Sequence, residues 1–115
     1  MKVYHLTAKN NVLNTNEEVF KIYSDIKILG KCESINAVLN GEVQDLEYVH
    51  VADVDSNDPD EVYEFTQHVT SSWTENSKVT EIGTQRKRST DISDLIVDDN
   101  NITYIVADFG FTKKQ

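Results

Sequence analysis

Cysteine and proline occur once each, as Cys32 and Pro59, and glycine only four times. A single cysteine excludes an internal disulfide and a thiolate metal cage. The glycines, Gly30, Gly41, Gly83 and Gly110, stand apart from one another, which excludes a Gly-rich phosphate loop. No stretch is rich in Pro, Gly or Ser, so no linker divides the 115 residues, and a single domain over 1–115 is expected. Apolar runs fall well short of the roughly 18 residues that a membrane-spanning helix needs. The opening Met1-Lys2-Val3-Tyr4-His5 lacks the apolar stretch of a signal peptide. A cytoplasmic protein with no membrane partner is the expectation.

Basic residues are missing from a whole segment. Residues 32–77 hold no Lys or Arg but eleven acids: Glu33, Glu42, Asp45, Glu47, Asp53, Asp55, Asp58, Asp60, Glu61, Glu64 and Glu75. The chain carries −9, so that segment at −11 leaves the remainder at +2. Direct nucleic-acid binding is not expected, because neutralising phosphates takes clustered Lys and Arg. The one basic cluster, Arg86-Lys87-Arg88, reads as solvated or paired with the acidic face, with phosphate contact as the alternative.

Residues 2–7 have strand composition, and Asn10-Asn11 favours a turn. Thr15-Asn16-Glu17-Glu18 has the form of a capping box, and Val19, Ile22, Tyr23 and Ile26 follow at helical spacing, so a helix is predicted to about residue 27, closed by Gly30. Ile35–Leu39 and Glu42–Gln44 flank Asn40-Gly41 and read as a hairpin. Leu46, Tyr48, His50, Ala52 and Val54 alternate along the best strand of the chain, 46–54. A second helix opens with Asp58 as cap, Pro59 in its first position and Glu61 three after the cap. Its stripe of Val62, Phe65, Thr66 and Val69 is predicted to bury Val62, Phe65 and Val69 against a sheet holding Tyr48, His50, Ala52 and Ile105. A polar loop at 70–77 surrounds Trp73, a short strand runs from 78 to 82, and 92–97 pairs with 102–107 across Asp98–Asn101. The tail Lys113-Lys114-Gln115 is expected to fray. The fold class that follows is α+β, a mostly antiparallel sheet with two helices packed on it.

Few of the chemically capable residues have company. Asp53, Asp55, Asn57 and Glu64 match oxygen positions of a calcium loop, but its obligatory glycine is replaced by Asp58, and a strand end followed by a capped helix accounts for the same residues. His5, His50 and His68 lack metal-ligand spacing. Cys32 beside Lys31 has no base to activate it, and Ser71, Ser72 and Ser89 lack a strained glycine elbow. No catalytic residue, metal site or cofactor is expected. Trp73 reads as a lid over the core, with an exposed partner anchor as the alternative.

The run Arg88-Ser89-Thr90-Asp91-Ile92-Ser93-Asp94-Leu95-Ile96-Val97, followed by Tyr104, Val106 and Phe109-Gly110-Phe111, resembles a pattern in small phage and plasmid proteins of the YodL-like domain family. Phe65–Val69, Ser72-Trp73-Thr74-Glu75-Asn76 and Val79 extend the likeness, which covers residues 46–111. This chain departs from the pattern at Asp91, where Ser is found, and at Ser93, often Gly. Within the motif, Asp94 is suited to bonding backbone amides in the turn, and Gly110 to letting Phe109 and Phe111 both pack. The resemblance implies a mobile-element context and no particular activity.

The function expected from these features is non-enzymatic. A small acidic mobile-element protein would bind a host protein with a basic surface, as an inhibitor of nucleic-acid-handling defence machinery such as CRISPR or restriction systems. Asp53, Asp55, Asp58, Asp60, Glu61 and Glu64 are the first candidates for that contact, with Trp73, Glu75, Arg86 and Arg88 behind them. The alternatives are an accessory domain in replication or transcription, and a small-ligand binder or enzyme with a pocket built from Trp73, Glu75, His68 and Arg88.

Overall fold

The computed structural model describes residues 1–69 and 71–114. Strand β1 (Lys2–Ala8) leads into three helices, α1 (Val12–Thr15), α2 (Glu17–Leu29) and α3 (Cys32–Leu39). Strand β2 (Leu46–Val54) and helix α4 (Pro59–Phe65) follow, then a 3-10 turn (Trp73–Glu75). Strands β3 (Val79–Glu81), β4 (Leu95–Val97), β5 (Thr103–Val106) and β6 (Phe111–Lys113) complete the chain. One antiparallel sheet runs in the order β3-β2-β1-β4-β5-β6. The α+β class and the antiparallel sheet agree with expectation, while the described residues hold four helices rather than two.

The extra helices come from the first half of the chain. Asn10 and Asn11 take left-handed angles and turn β1 directly into α1. Helix α2 is capped by Asn16, whose side chain accepts from the Val19 amide, one residue later than the Thr15 cap the sequence predicts. Gly30 closes it in the left-handed conformation, bonding back to Ile26. The expected hairpin at 35–44 is instead α3. Gly41 donates to Val38 and Glu42 to Ala37, so Asn40-Gly41 ends a helix in a Schellman motif. The same dipeptide suits both roles because both need a residue with positive φ, 74° at Gly41. Burial of Ile35 and Val38 on one helical face decides between them.

The sheet is covered on both faces. Helices α1 to α3 bury Val12, Val19, Ile26, Ile35 and Val38 against Leu6, Leu46, Leu95 and Ile105. On the opposite face, Val62 of α4 and Trp73 pack with Val3, Val51, Ala52, Val54, Ile96 and Val106. A β-bulge separates the two halves of β2. Val3 pairs with Ala52 and Tyr4 with His50, which leaves Val51 as the extra residue. Ala52 and Val54 therefore turn to the α4 face, away from Tyr48. The predicted packing of α4 is corrected accordingly: it meets Ala52, while Tyr48 and Ile105 belong to the other layer. Val69 lies beyond the helix and is 83% exposed, and Phe65 is half-buried.

Three further expectations shift. The segment 92–94 is a turn before β4. Phe111 is half-buried, but Phe109 is 97% exposed at the β5–β6 connection, so the two do not pack together. Lys113 belongs to β6 and the Lys114 amide bonds to Thr103, so the tail is paired as far as 114. Thr70 of the expected polar loop and Gln115 of the tail lie outside the described residues.

Candidate functional site

The six first-choice carboxylates fall on one corner, where β2 ends and α4 begins. Asp53 lies 2.8 Å from His50 Nε2, and Asp55 lies 3.8 Å from Lys78 Nζ. Asp58 is committed to the fold: its Oδ1 accepts from the Asp60 amide and caps α4. Asp60, Glu61 and Glu64 are exposed, and among the described residues none forms an ion pair. Glu64 also lines a cleft of about 370 Å³ with Trp73 and Glu75, which extends the acidic surface toward the 3-10 turn. Among the described residues no three His, Cys, Asp or Glu side chains are placed to hold one metal ion.

Trp73 and Arg88 are tied into the fold, while Glu75 and Arg86 are exposed. Trp73 is 2% exposed, its indole N–H donating to the Arg88 carbonyl at 2.8 Å, so its ring is core rather than an exposed anchor. His68 stacks on it, accepts from the Trp73 amide at Nδ1 and donates from Nε2 to the Lys87 carbonyl. The basic cluster is solvated only in part: Arg86 and Arg88 are exposed and Lys87 is not. Lys87 is buried, 2.9 Å from Glu81 and bonded to the carbonyls of Gly83 and Gln85. Only Arg86 extends freely from it, with no ion pair among the described residues.

Arg88 serves a fully buried carboxylate, Asp94. Its guanidinium grips both oxygens, and Asp94 also accepts from the amides of Leu6 and Asp91. The second nitrogen of Arg88 donates to the Leu6 carbonyl at 3.0 Å. Strand β4 pairs with β1 only as far as Tyr4, so beyond that point the Arg88–Asp94 pair supplies the donor and the acceptor that Leu6 would otherwise find on a neighbouring strand. Its surroundings are polar and fixed. His5 bonds Thr90 at 2.9 Å, Tyr48 donates to the Ser93 carbonyl, and Lys27 donates to the Ile92 carbonyl. Burial pushes the His5 imidazole down to about 4 despite the nearby Asp94 charge, so it is neutral at physiological pH. Burial, with Asp94 adding to it, raises the Tyr48 phenol.

The expected role of Asp94 in the turn holds for its bond to Asp91. Its link to Leu6 was not visible, because the two are 88 residues apart and only the sheet topology joins them. The departure at Ser93 has a physical meaning: its φ is 78°, the left-handed region where glycine rests without strain.

A groove of about 960 Å³ opens on the α4 face beside this network. His5, Thr7, Glu47, Val49 and Val51 line it together with residues 85–89 and His68. The four residues of the alternative ligand pocket divide between two cavities: His68 and Arg88 line this groove, Trp73 and Glu75 the smaller cleft. Across the wall between the two, Trp73 stacks on His68 and bonds the Arg88 carbonyl.

Comparison of the chain with protein-family models, curated proteins and solved structures finds no match.

Proposed function

We propose that the protein acts without catalysis, by occupying the basic surface of a host protein with its acidic corner. The observation behind this reading is the trio of exposed carboxylates Asp60, Glu61 and Glu64, without an ion pair among the described residues, on a 32–77 segment without a single Lys or Arg. Charges held on a strand end and a capped helix keep a fixed spacing, as phosphates do along a nucleic acid. Such a surface steers a basic partner and accelerates association, with a strong dependence on salt. Proteins that handle nucleic acids carry basic channels of the required kind. With the resemblance to small phage and plasmid proteins, inhibition of host defence against a mobile element is the biological form we favour.

The test is a triple change that removes charge and keeps size, Asp60→Asn, Glu61→Gln and Glu64→Gln, leaving the Asp58 cap intact. A host protein retained from lysate at low salt and released at high salt would serve as the probe. The triple variant should associate with it more slowly and with a flatter dependence on ionic strength. Unchanged association kinetics would assign the corner to solubility alone.

A further inference from the structure

Strand β2 is nine residues long, yet its outer side is paired over only part of that length. Strand β3 covers Ala52, Asp53 and Val54, and the Ile82 amide reaches the Val51 carbonyl. From Leu46 to His50 no strand among the described residues lies on that side. The alternation of an antiparallel ladder decides which groups face outward. The Asp45 carbonyl accepts from Lys9, so 45, 47 and 49 turn to β1, and 46, 48 and 50 turn away from it. The Leu46 amide points back to Val43 at 3.5 Å. The amide and carbonyl of Tyr48 and of His50 remain on the open edge, on residues that are half-exposed. Space opens on both faces of this stretch. Glu47 and Val49 line the 960 Å³ groove, and Leu46 and Tyr48 line a cleft of about 350 Å³ beside α3.

We infer that this edge captures an extended, basic segment of a partner protein by strand addition. The inference rests on the reading that the partner is basic, and it specifies how such a partner is held. Backbone ladder bonds bind without regard to sequence, and alternate side chains reach the two faces where the cavities lie. Charge selects the occupant. Glu42, Asp45, Glu47 and Asp53 lie on β2 or at its ends, in the segment with no Lys or Arg. A second copy of the chain would bring another −9 and another row of acids to the same edge, which opposes self-pairing.

Backbone hydrogen exchange of the full chain, read by NMR, tests this with two ten-residue peptides of equal charge. One alternates Lys with Val and can form a strand; the other alternates Lys with Pro and cannot, because proline fixes φ and lacks the amide. The Lys-Val peptide should slow exchange at the Tyr48 and His50 amides at least tenfold, in the Asp60→Asn, Glu61→Gln, Glu64→Gln variant as well. The Lys-Pro peptide should leave both amides exchanging as in the free protein. Binding of both peptides without protection of Tyr48 and His50 would overturn strand addition while leaving the acidic-surface reading intact. Protection that grows with protein concentration alone would make a second copy the occupant and overturn the basic segment. Absence of protection with either peptide would overturn the inference outright.

Discussion

Ser93 combines two unfavourable features: a left-handed backbone and a fully buried hydroxyl with no hydrogen-bond partner among the described residues. An L-residue in that conformation costs roughly 1–2 kcal/mol, part of which a glycine returns as unfolded-state entropy. Ser93→Gly is therefore expected to stabilise the protein by about 1 kcal/mol, seen as a melting temperature a few degrees higher. Ser93→Ala removes the hydroxyl but keeps the strained angle, so it should gain less; equal gains would show that φ strain is not the cause. His5 makes a second residue-scale prediction. Its folded pKa of about 4 lies below the ordinary 6.5, so between those values the unfolded chain binds more protons. The stability is present in full above pH 6.5 and is lost as pH falls toward 4. Asp94 opposes the shift, whereas Arg88, Lys27 and Lys87 add to it. From pH 7 to 4.5 the wild type should lose about 2–3 kcal/mol more than His5→Gln, measured by urea unfolding. Parallel pH profiles would show that the imidazole does not titrate as placed.

At the scale of elements, local patterns were reliable where one chemistry had one use. The Asp58-Pro59 opening of α4, the Gly30 end of α2 and the span 46–54 were all readable because cap, terminator and alternation have few other meanings. Asn40-Gly41 failed as a hairpin because its positive φ serves a helix end equally well. The bulge at Val51 had no signal at all: Ala52 and Val54 continue an apparently regular alternation, and only the pairing with Val3 and Tyr4 reveals the change of face. A deletion tests that account. Removing Val51 should erase the bulge while leaving Tyr48 and Ala52 on their present faces. The variant should unfold cooperatively with a loss of roughly 1.5–3 kcal/mol, the value of one buried valine. A chain that no longer folds would mean the bulge itself sets the course of the strand.

Across the whole molecule, charge was the most legible property and site geometry the least. The acid-only segment stands in the sequence as plain composition, and its residues Asp53 to Glu64 do form a common corner. The Arg88–Asp94 network was hidden because its partners, Leu6 and His5, lie more than 80 residues away along the chain. The role of Lys87 was hidden for a related reason: a basic triplet looks uniform, while the fold sends one member inward to Glu81 and leaves Arg86 outside.

The position of β1 carries a consequence for how the chain is made. It precedes the sheet's other five strands along the chain and is an interior strand of the finished sheet, flanked by β2 and β4. Its β2 side, with α1 to α3, is available for docking once residue 54 has emerged. Its other side has no partner until Arg88, Asp94 and then β4 arrive. A nascent chain is thus a half-sheet with one bare margin while residues 55 to 97 are being made, and a chain truncated before β4 keeps that margin permanently. Bare margins of this kind invite pairing between chains. Residues 88 to 97 act as the cover for β1, and their arrival closes its bare margin.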